Sequence, residues 1–299
     1  MALALSKRLG GLSMAASSSS SPPLPATGLL LIGMGMGTVE GMTVEAKQAA
    51  TAADHRRYEA YTALWPSEEL ARLESEIGPV ERVMRPEVEQ PEVLFDLAKV
   101  SLVALLVVGD PLQATTHVDL QLRATEEGIA CHVIHGVSIT TVVTGAIGLS
   151  NYKFGRQTTL TYPHGTWVAT SPLEVIASNQ EQNLHTLALL DLDPTGQGTG
   201  DQRPMRPADA VQSFELMWEK LNENEDAGQH PSVRSYLERS MDSISVVLCS
   251  DMGTPDQNIV FTTMGHLGSE SGGRLNCLVF PANASEVEEK ALLRWSRGE

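Results

Sequence analysis

The stretch VALLVVGDPLQATTH, residues 103–117, decides the fold of this chain. It opens with an unbroken apolar run at 103–108, and such a run ended by Gly-Asp-Pro is typical of a strand buried on both faces of a sheet. The chain must then turn sharply. Gly109 permits backbone angles that other residues avoid, and Pro111 keeps Asp110 out of the helical region.

The polar residues Thr115, Thr116 and His117 follow this turn and lead into a helical pattern over residues 120–127. Open α/β sheets bind ligands at loops that leave the carboxyl ends of their parallel strands. The sequence therefore predicts a ligand site after residue 108. A plain strand-turn-helix connection would show the same pattern, so that alternative stays open at this level.

A second glycine-rich turn lies upstream. Residues 29–32 are apolar and predict a strand, which the segment GMGMG at 33–37 follows at once. Such glycines let backbone amides approach a ligand, or simply let the chain turn tightly. The GxGxxG spacing of dinucleotide-binding proteins is absent from this stretch, so it does not identify a ligand.

Between these two turns, Thr43 is placed to cap a helix, and residues 68–77 predict another. Residues 54–62 combine strand-favouring tyrosines with the polar Arg56 and Arg57, which leaves a strand there in doubt. The other elements predicted in this region are a strand and a turn, at residues 81–85 and 86–90 respectively.

The pattern repeats downstream of residue 117. Residues 130–135, ACHVIH, predict a strand, and Gly136 opens an apolar turn and helix that Ser138 is placed to cap. A helix N-terminus favours an anionic group such as a carboxylate. Alternating strands and helices imply a mostly parallel sheet, so we expect the loops after residues 108 and 135 to face one cleft.

The rest of the chain also mixes strands and helices, and we interpret the whole as two α/β domains, residues 28–140 and 141–299. The first 27 residues contain no acid and are rich in Ser and Pro, which predicts a disordered extension. An organelle transit peptide has a similar composition. The predicted elements of the second half are strands at 158–162, 183–193, 244–249, 259–263 and 276–280, helices at 208–222 and 286–295, a loop at 194–203 and a polar linker at 223–231.

Composition narrows the functional classes. The net charge is -16, from 37 acidic against 21 basic residues, which disfavours binding to a nucleic-acid backbone. The chain contains no run of 18 apolar residues, so no membrane span is predicted. The 3 cysteines are widely spaced and no histidine pair has zinc-site spacing, so neither a metal site nor a disulfide framework is predicted.

Asp110 is the best single candidate for a chemical role. A carboxylate at a strand end can accept a hydrogen bond from a ribose or an amine, although Asp is equally suited to capping a turn. His117 and His135 also lie at predicted strand ends, where a structural hydrogen bond is the favoured interpretation. No GxSxG or nucleotide-binding loop is present, so these patterns predict a cleft and no particular reaction.

Several ordered segments resemble the diphthine synthase family. The resemblance covers most of residues 28–295, and the GDPxxATTH and YKFG elements are its most specific parts. The segments that carry it are LIGMGMG at 31–37, YEAYT at 58–62, VVGDPLQATTHVDLQLRA at 107–124, VIHGVSI at 133–139, GLSNYKFG at 148–155, HTLALLDL at 185–192 and MGTPDQNI at 252–259. This family belongs to the tetrapyrrole-methylase-like class of S-adenosylmethionine enzymes.

The resemblance implies two α/β domains with the cofactor in the cleft between them, and a cytoplasmic homodimer without nucleic-acid or membrane partners. It further implies methyl transfer to the 3-amino-3-carboxypropyl group on a histidine of elongation factor 2. Methyl groups go to the amine, and in eukaryote-type enzymes also to the carboxylate, giving a diphthine methyl ester on the way to diphthamide. The cofactor contacts that it implies fall on Met36, Asp110, Gln113, Ser138, Ile139, Leu190, Met252 and Asn276.

The chain departs from the family pattern in a few places. Gly136 and Val137 stand where the family has Asn-Ala, Gln113 replaces a glycine, and Asn276 replaces a histidine. Two alternative functions therefore stay open. One is a methylase of the same class that acts on a tetrapyrrole, and the other is a non-catalytic protein-binding paralogue in which Gln113 fills the pocket.

Overall fold

The computed structural model describes residues 24–197, 202–223 and 230–297. Most of the predicted N-terminal extension therefore lies outside the described residues, as do parts of the predicted 194–203 loop and of the predicted 223–231 linker. The described chain forms two five-stranded sheets with helices packed around them. This confirms the predicted α/β class.

The first sheet is entirely parallel, with strand order β3-β2-β4-β1-β5. Its strands are β1 (Gly28–Gly33), β2 (His55–Glu59), β3 (Glu81–Val83), β4 (Leu102–Val107) and β5 (Cys131–Ile134). All six residues of β4 are buried, as the apolar run predicts, because helices cover both faces of the sheet. The helices are α1 (Val44–Ala52), α2 (Ser67–Ile77), α3 (Arg85–Glu89), α4 (Glu92–Ala98), α5 (His117–Glu126) and α6 (Ile139–Ala146).

Strand β2 forms despite its two arginines because both guanidinium groups find partners. Arg56 donates hydrogen bonds to backbone carbonyls, among them that of Pro79 at 3.3 Å. Arg57 pairs with Glu81 on the neighbouring β3 at 2.8 Å. The turn predicted over residues 86–90 is wrong: this segment forms most of the short helix α3, where a proline at the start needs no hydrogen-bond partner for its nitrogen.

The second sheet has strand order β6-β7-β10-β8-β9. Only β6 and β7 run parallel, and the other neighbours are antiparallel, so the parallel pattern is confined to the first sheet and one edge of the second. The strands are β6 (Thr158–Leu160), β7 (Thr186–Leu190), β8 (Ser245–Ser250), β9 (Asn258–Thr263) and β10 (Asn276–Phe280). The helices are α7 (Ser171–Glu181), α8 (Pro207–Glu223), α9 (Pro231–Leu237), α10 (Met264–Leu267) and α11 (Glu286–Leu293).

A buried carboxylate anchors the YKFG segment to the second sheet. Glu288 on α11 accepts hydrogen bonds from Lys153 at 2.9 Å, from the ring of His185 at 3.1 Å and from the amide of Ser150 at 3.0 Å. Desolvation opposes ionisation of Glu288, but these donors and the amide of Ser285 outweigh it and hold its pKa below the usual range. The most family-specific segment of the second half therefore has a structural role.

Three strands of the first sheet end at glycines that touch one another. A Cβ atom at Gly136, after β5, would lie 2.3 Å from the carbonyl oxygen of Gly109, after β4. A Cβ atom at Gly33, the end of β1, would lie 2.4 Å from the amide nitrogen of Gly136. Gly35 and Gly109 also exchange two backbone hydrogen bonds, of 3.1 and 2.8 Å. The loops after β1, β4 and β5 therefore meet because no side chain separates them.

We expect Gly136→Ala to destabilise the protein by about 1–3 kcal/mol, because the added methyl group forces the β4 and β5 loops apart. Chemical denaturation measures this change. Gly145→Ala is the matched control, because Gly145 lies on α6 with no atom within 4 Å of an added Cβ, and it should be neutral or stabilising. Equal stability of Gly136→Ala and the parent protein would contradict the packing argument.

Candidate functional site

Asp110 joins the loops that follow β4 and β5. The residue is 6% exposed, and its Oδ2 accepts a 2.7 Å hydrogen bond from Nδ1 of His135 and a 3.3 Å bond from the amide of Gly136. Its Oδ1 accepts from the amide of Leu112 at 3.0 Å. The two loops predicted to share a cleft thus meet, and hydrogen bonds to the Asp110 carboxylate connect them.

The cleft lies between the carboxyl edge of the first sheet and the second sheet, with a cavity volume of about 180 Å³. Residues from both halves line it, and it is not filled by the protein's own side chains. Seven of the eight predicted cofactor-contact residues line it: Met36, Gln113, Ser138, Ile139, Leu190, Met252 and Asn276. Asp110 does not line the cleft, and both of its carboxylate oxygens accept hydrogen bonds from the protein.

The polar side of the cleft is built at the start of α6. The Ser138 hydroxyl accepts a hydrogen bond from the amide of Thr140 at 3.3 Å, which confirms Ser138 as the predicted helix cap. The Thr140 hydroxyl lies 3.0 Å from that oxygen and 3.4 Å from Oε1 of Gln113. Gln113 is exposed at the cleft, so it lines the cavity and leaves it open.

Apolar residues from both halves line the cleft. Leu190 at the end of β7 and Met252 after β8 line the cleft, and so do the cross-strand neighbours Cys249 and Cys277. The backbone of Asp251 has a positive φ of 46°, and its carboxylate accepts bonds from the amides of residues 274 and 275, each at 3.0 Å. This carboxylate holds the β8 turn and the loop before β10 together beside the cavity.

Two features connect the halves at the cleft. A Cβ atom at Gly253 would lie 2.5 Å from Cβ of Met36, so the loop after β1 packs directly on the loop after β8. Arg274 approaches Glu68 of α2 at 3.4 Å. Met36 therefore marks the joint between the two halves as well as a wall of the cleft.

Asn276 has little freedom to contact a ligand through its side chain. Its Oδ1 accepts from the Ser250 hydroxyl at 2.8 Å and the Gly273 amide at 2.7 Å. Its Nδ2 donates to the carbonyls of Met205 and Gly273 at 3.3 and 3.2 Å. At this departure from the family pattern the side chain fixes the loop before β10.

Sequence reasoning missed the part of the cleft that follows β2. Thr62, Ala63 and Leu64 line this part. Asp251 and Arg274, which sequence reasoning also missed, line the cleft on the side of the second sheet. The first three follow or belong to the YEAYT segment, whose position after a parallel strand was the available signal. The other two depend on a contact between loops 23 residues apart, which no local pattern reveals.

The cleft suits S-adenosylmethionine in chemical character. Its apolar wall matches an adenine ring, while hydroxyl and amide groups near α6 match the polar ends of the cofactor. The charged residues among its described lining, Asp251 and Arg274, both have protein partners, so the cavity carries no strong net charge.

Two absences among the described residues restrict other interpretations. Within the described residues, no group of three or more His, Cys, Asp or Glu side chains is arranged to hold a metal ion. No described helix has the length and apolar character needed to cross a membrane. The interpretation of His117 as structural is supported by its Nδ1, which lies 3.0 Å from the carbonyl of Pro111.

Comparisons with known proteins agree with this geometry. The family model of the tetrapyrrole (corrin/porphyrin) methylases matches residues 28–268. The diphthine synthase of Methanocorpusculum labreanum is 31% identical over 90% of this chain and 98% of its own length. That of Methanosphaerula palustris is 33% identical over 88% and 96%. A crystal structure of a diphthine synthase superposes with a TM-score of 0.73 and 27% identity, covering 90% of this chain and 95% of that one.

We expect Asp110→Ala to weaken binding of S-adenosylmethionine by about 5- to 100-fold, because it removes the bonds that hold the two loops together and leaves buried donors unpaired. Isothermal titration calorimetry measures the affinity. Asp110→Asn keeps an acceptor oxygen and should lose less. Unchanged affinity in Asp110→Ala would separate this carboxylate from the site.

Proposed function

Because the chain belongs to the tetrapyrrole methylase family and, within it, to the diphthine synthases, we propose that it methylates the 3-amino-3-carboxypropyl group on a histidine of elongation factor 2. Membership makes the chain an S-adenosylmethionine-dependent methyltransferase of diphthamide biosynthesis. The observation that supports the proposal most is the open cleft between the halves, lined by seven of the eight cofactor positions that the family resemblance implies.

The described side chains suggest how the cofactor is held. Ile139, Leu190 and Met252 pack against the adenine, and Met36 bounds the cleft at the joint between the halves. Ser138 and the backbone at the start of α6 receive a polar or anionic end of the molecule. Asp110 acts from behind, by fixing the backbone of both loops.

The reaction itself demands alignment more than reactive side chains. When bound, S-adenosylmethionine would supply a sulfonium methyl group that the nucleophile attacks in line with the departing thioether sulfur. The protein's contribution is to hold nucleophile and methyl group in one geometry, which removes the entropic cost of bringing them together. A rigid cleft built on strand ends suits that task, and the absence of a nucleophilic triad pattern in the sequence agrees with it.

The substrate and the assembly state belong to the same proposal. A protein substrate fits the acidic composition, which disfavours nucleic acid. We also infer the homodimer that the family resemblance implies, and light scattering at several protein concentrations tests this inference. A monomeric mass throughout would contradict it.

We expect incubation with S-adenosylmethionine to add methyl groups to the modified histidine of unmethylated elongation factor 2. Mass spectrometry of the peptide that carries the histidine detects the product. The matched control is the factor whose histidine lacks the 3-amino-3-carboxypropyl group, which should stay unchanged. Unchanged mass in the presence of bound cofactor would refute the substrate assignment, and spectral titration showing tight tetrapyrrole binding would favour the alternative methylase.

A second prediction separates an active enzyme from a non-catalytic paralogue. Gln113 lies at an exposed position, so Gln113→Gly should change the affinity for S-adenosylmethionine by less than about 10-fold. A change of that size is smaller than the largest net contribution of a single buried hydrogen bond. Titration of both proteins measures the ratio. If the parent protein failed to bind and Gln113→Gly bound tightly, Gln113 would be a plug and the paralogue hypothesis would stand.

A further inference from the structure

A polar cluster around the buried Glu59 adjoins the cleft on the β2 side. Its members are Glu59, Tyr61 and Arg85, which come from the end of β2, the segment after it and the start of α3. Glu59 is the last residue of β2 and is 0% exposed. The Arg85 guanidinium lies 5.1 Å from the centre of the Tyr61 ring.

The Glu59 cluster contains buried polar atoms that lack a hydrogen-bond partner. Glu59 Oε1 and Arg85 Nε are buried atoms without a hydrogen-bond partner of normal geometry among the described residues, and the Tyr61 hydroxyl interacts with Glu59. Buried polar atoms are nearly always paired, because each unpaired one costs about 1–3 kcal/mol. Such a concentration beside a cleft is typical of a functional site.

One hydrogen bond connects the Glu59 cluster to the cleft. The Thr62 hydroxyl donates to Oε2 of Glu59 at 2.8 Å, and Thr62 lines the cleft. A hydroxyl that donates on one side still has lone pairs to accept a proton from the other. Thr62 is therefore placed to pass a proton from the cleft to Glu59.

The surroundings of Glu59 suit such a transfer. Burial raises the pKa of Glu59 to about 7, although the hydrogen bonds from Thr62 and the nearby charge of Arg85 act in the opposite direction. A group with a pKa near the working pH is the most effective proton acceptor, because it can both take up and release the proton. Burial also lowers the pKa of His117, so that ring is neutral, and Glu89 is paired with Arg85 at 3.3 Å.

We propose that Glu59 acts through Thr62 as the acceptor for the proton that the substrate ammonium loses before its nitrogen attacks the methyl group. This inference rests on the proposed function. The ammonium proton moves to the Thr62 oxygen while the Thr62 proton moves to the Glu59 carboxylate, so one proton is transferred in all. The freed nitrogen lone pair then forms the new N–C bond, and the breaking C–S bond leaves its electron pair on sulfur.

Other titratable groups near the cleft are less suited to accept this proton. Asp251 accepts two backbone amide bonds, and Asp110 uses both oxygens to hold the loops. His117 has a free Nε2 but no hydrogen bond to a cleft-lining residue among those described. Glu59, by contrast, is bonded directly to a cleft-lining hydroxyl. Thr62 is the residue that contacts substrate, and Glu59 is the positioning residue behind it.

The test is the pH dependence of single-turnover methyl transfer to elongation factor 2. For the parent enzyme the rate should rise with pH through an inflection near 7 and then level off, as Glu59 becomes ionised. Glu59→Gln keeps the shape and the bond from Thr62 but cannot take a proton. Its rate should fall by about 10²-fold and lose the inflection, with affinity for S-adenosylmethionine unchanged.

Three further variants sharpen the test. Thr62→Val should be as slow as Glu59→Gln, while Thr62→Ser should restore the rate, because only the hydroxyl is required. Glu89→Gln is the matched control, because it neutralises a nearby carboxylate that is not bonded to Thr62, and its rate should match that of the parent. Glu59→Gln should also melt at a higher temperature than the parent at about pH 8, because the parent must ionise a buried carboxyl group there whereas its unfolded chain ionises freely.

The outcomes are distinct. An active parent enzyme together with a Glu59→Gln variant of equal rate and unchanged inflection overturns the inference and leaves the proposed function intact. A parent that binds cofactor and transfers no methyl group overturns the proposed function instead. If Glu59→Gln fails to fold, the comparison of Thr62→Val with Thr62→Ser decides, and equal rates for those two variants overturn the inference.

Discussion

A packing constraint at one edge of the first sheet governs the rest of the structure: three parallel strands end so close together that a methyl group has no room between them. Gly33, Gly109 and Gly136 bring their backbones into contact, and a Cβ atom added at Gly33 or Gly136 would approach the neighbouring backbone to less than 3 Å. The contact fixes where the following loops begin. Asp110 then joins two of those loops with one buried carboxylate, and α6 starts next to the joint.

Both halves contribute polar and apolar groups to the cleft. Loops of the parallel sheet present hydroxyl and amide groups, because polar residues and helix starts follow the ends of parallel strands. The mainly antiparallel second sheet presents apolar side chains from its strand ends, such as Leu190 and Met252. A cofactor with an aromatic base at one end and charged groups at the other requires both kinds of surface, and the cleft between the halves provides both.

The same region concentrates features that oppose folding. Glu59 is fully buried with one oxygen that lacks a hydrogen-bond partner of normal geometry, and its neighbour Arg85 carries an unpaired buried nitrogen. The large apolar clusters on both faces of each sheet compensate for this local cost. The apolar residues that stabilise the fold thus lie in the middles of the strands, whereas the polar residues of the cleft lie at the strand ends.

The sequence by itself determined the α/β class, the buried strand β4, the Thr43 and Ser138 caps and the meeting of two loops, because apolar periodicity and capping act over a few residues. It gave no sign of α7 or α9, which begin with proline-containing segments that resemble turns, and it left β2 in doubt. Only the tertiary structure decided the surroundings of Asp110 and Glu59. His135, which donates to Asp110, lies 25 residues away, and burial in the folded protein raises the pKa of Glu59, so neither environment is encoded in a local pattern.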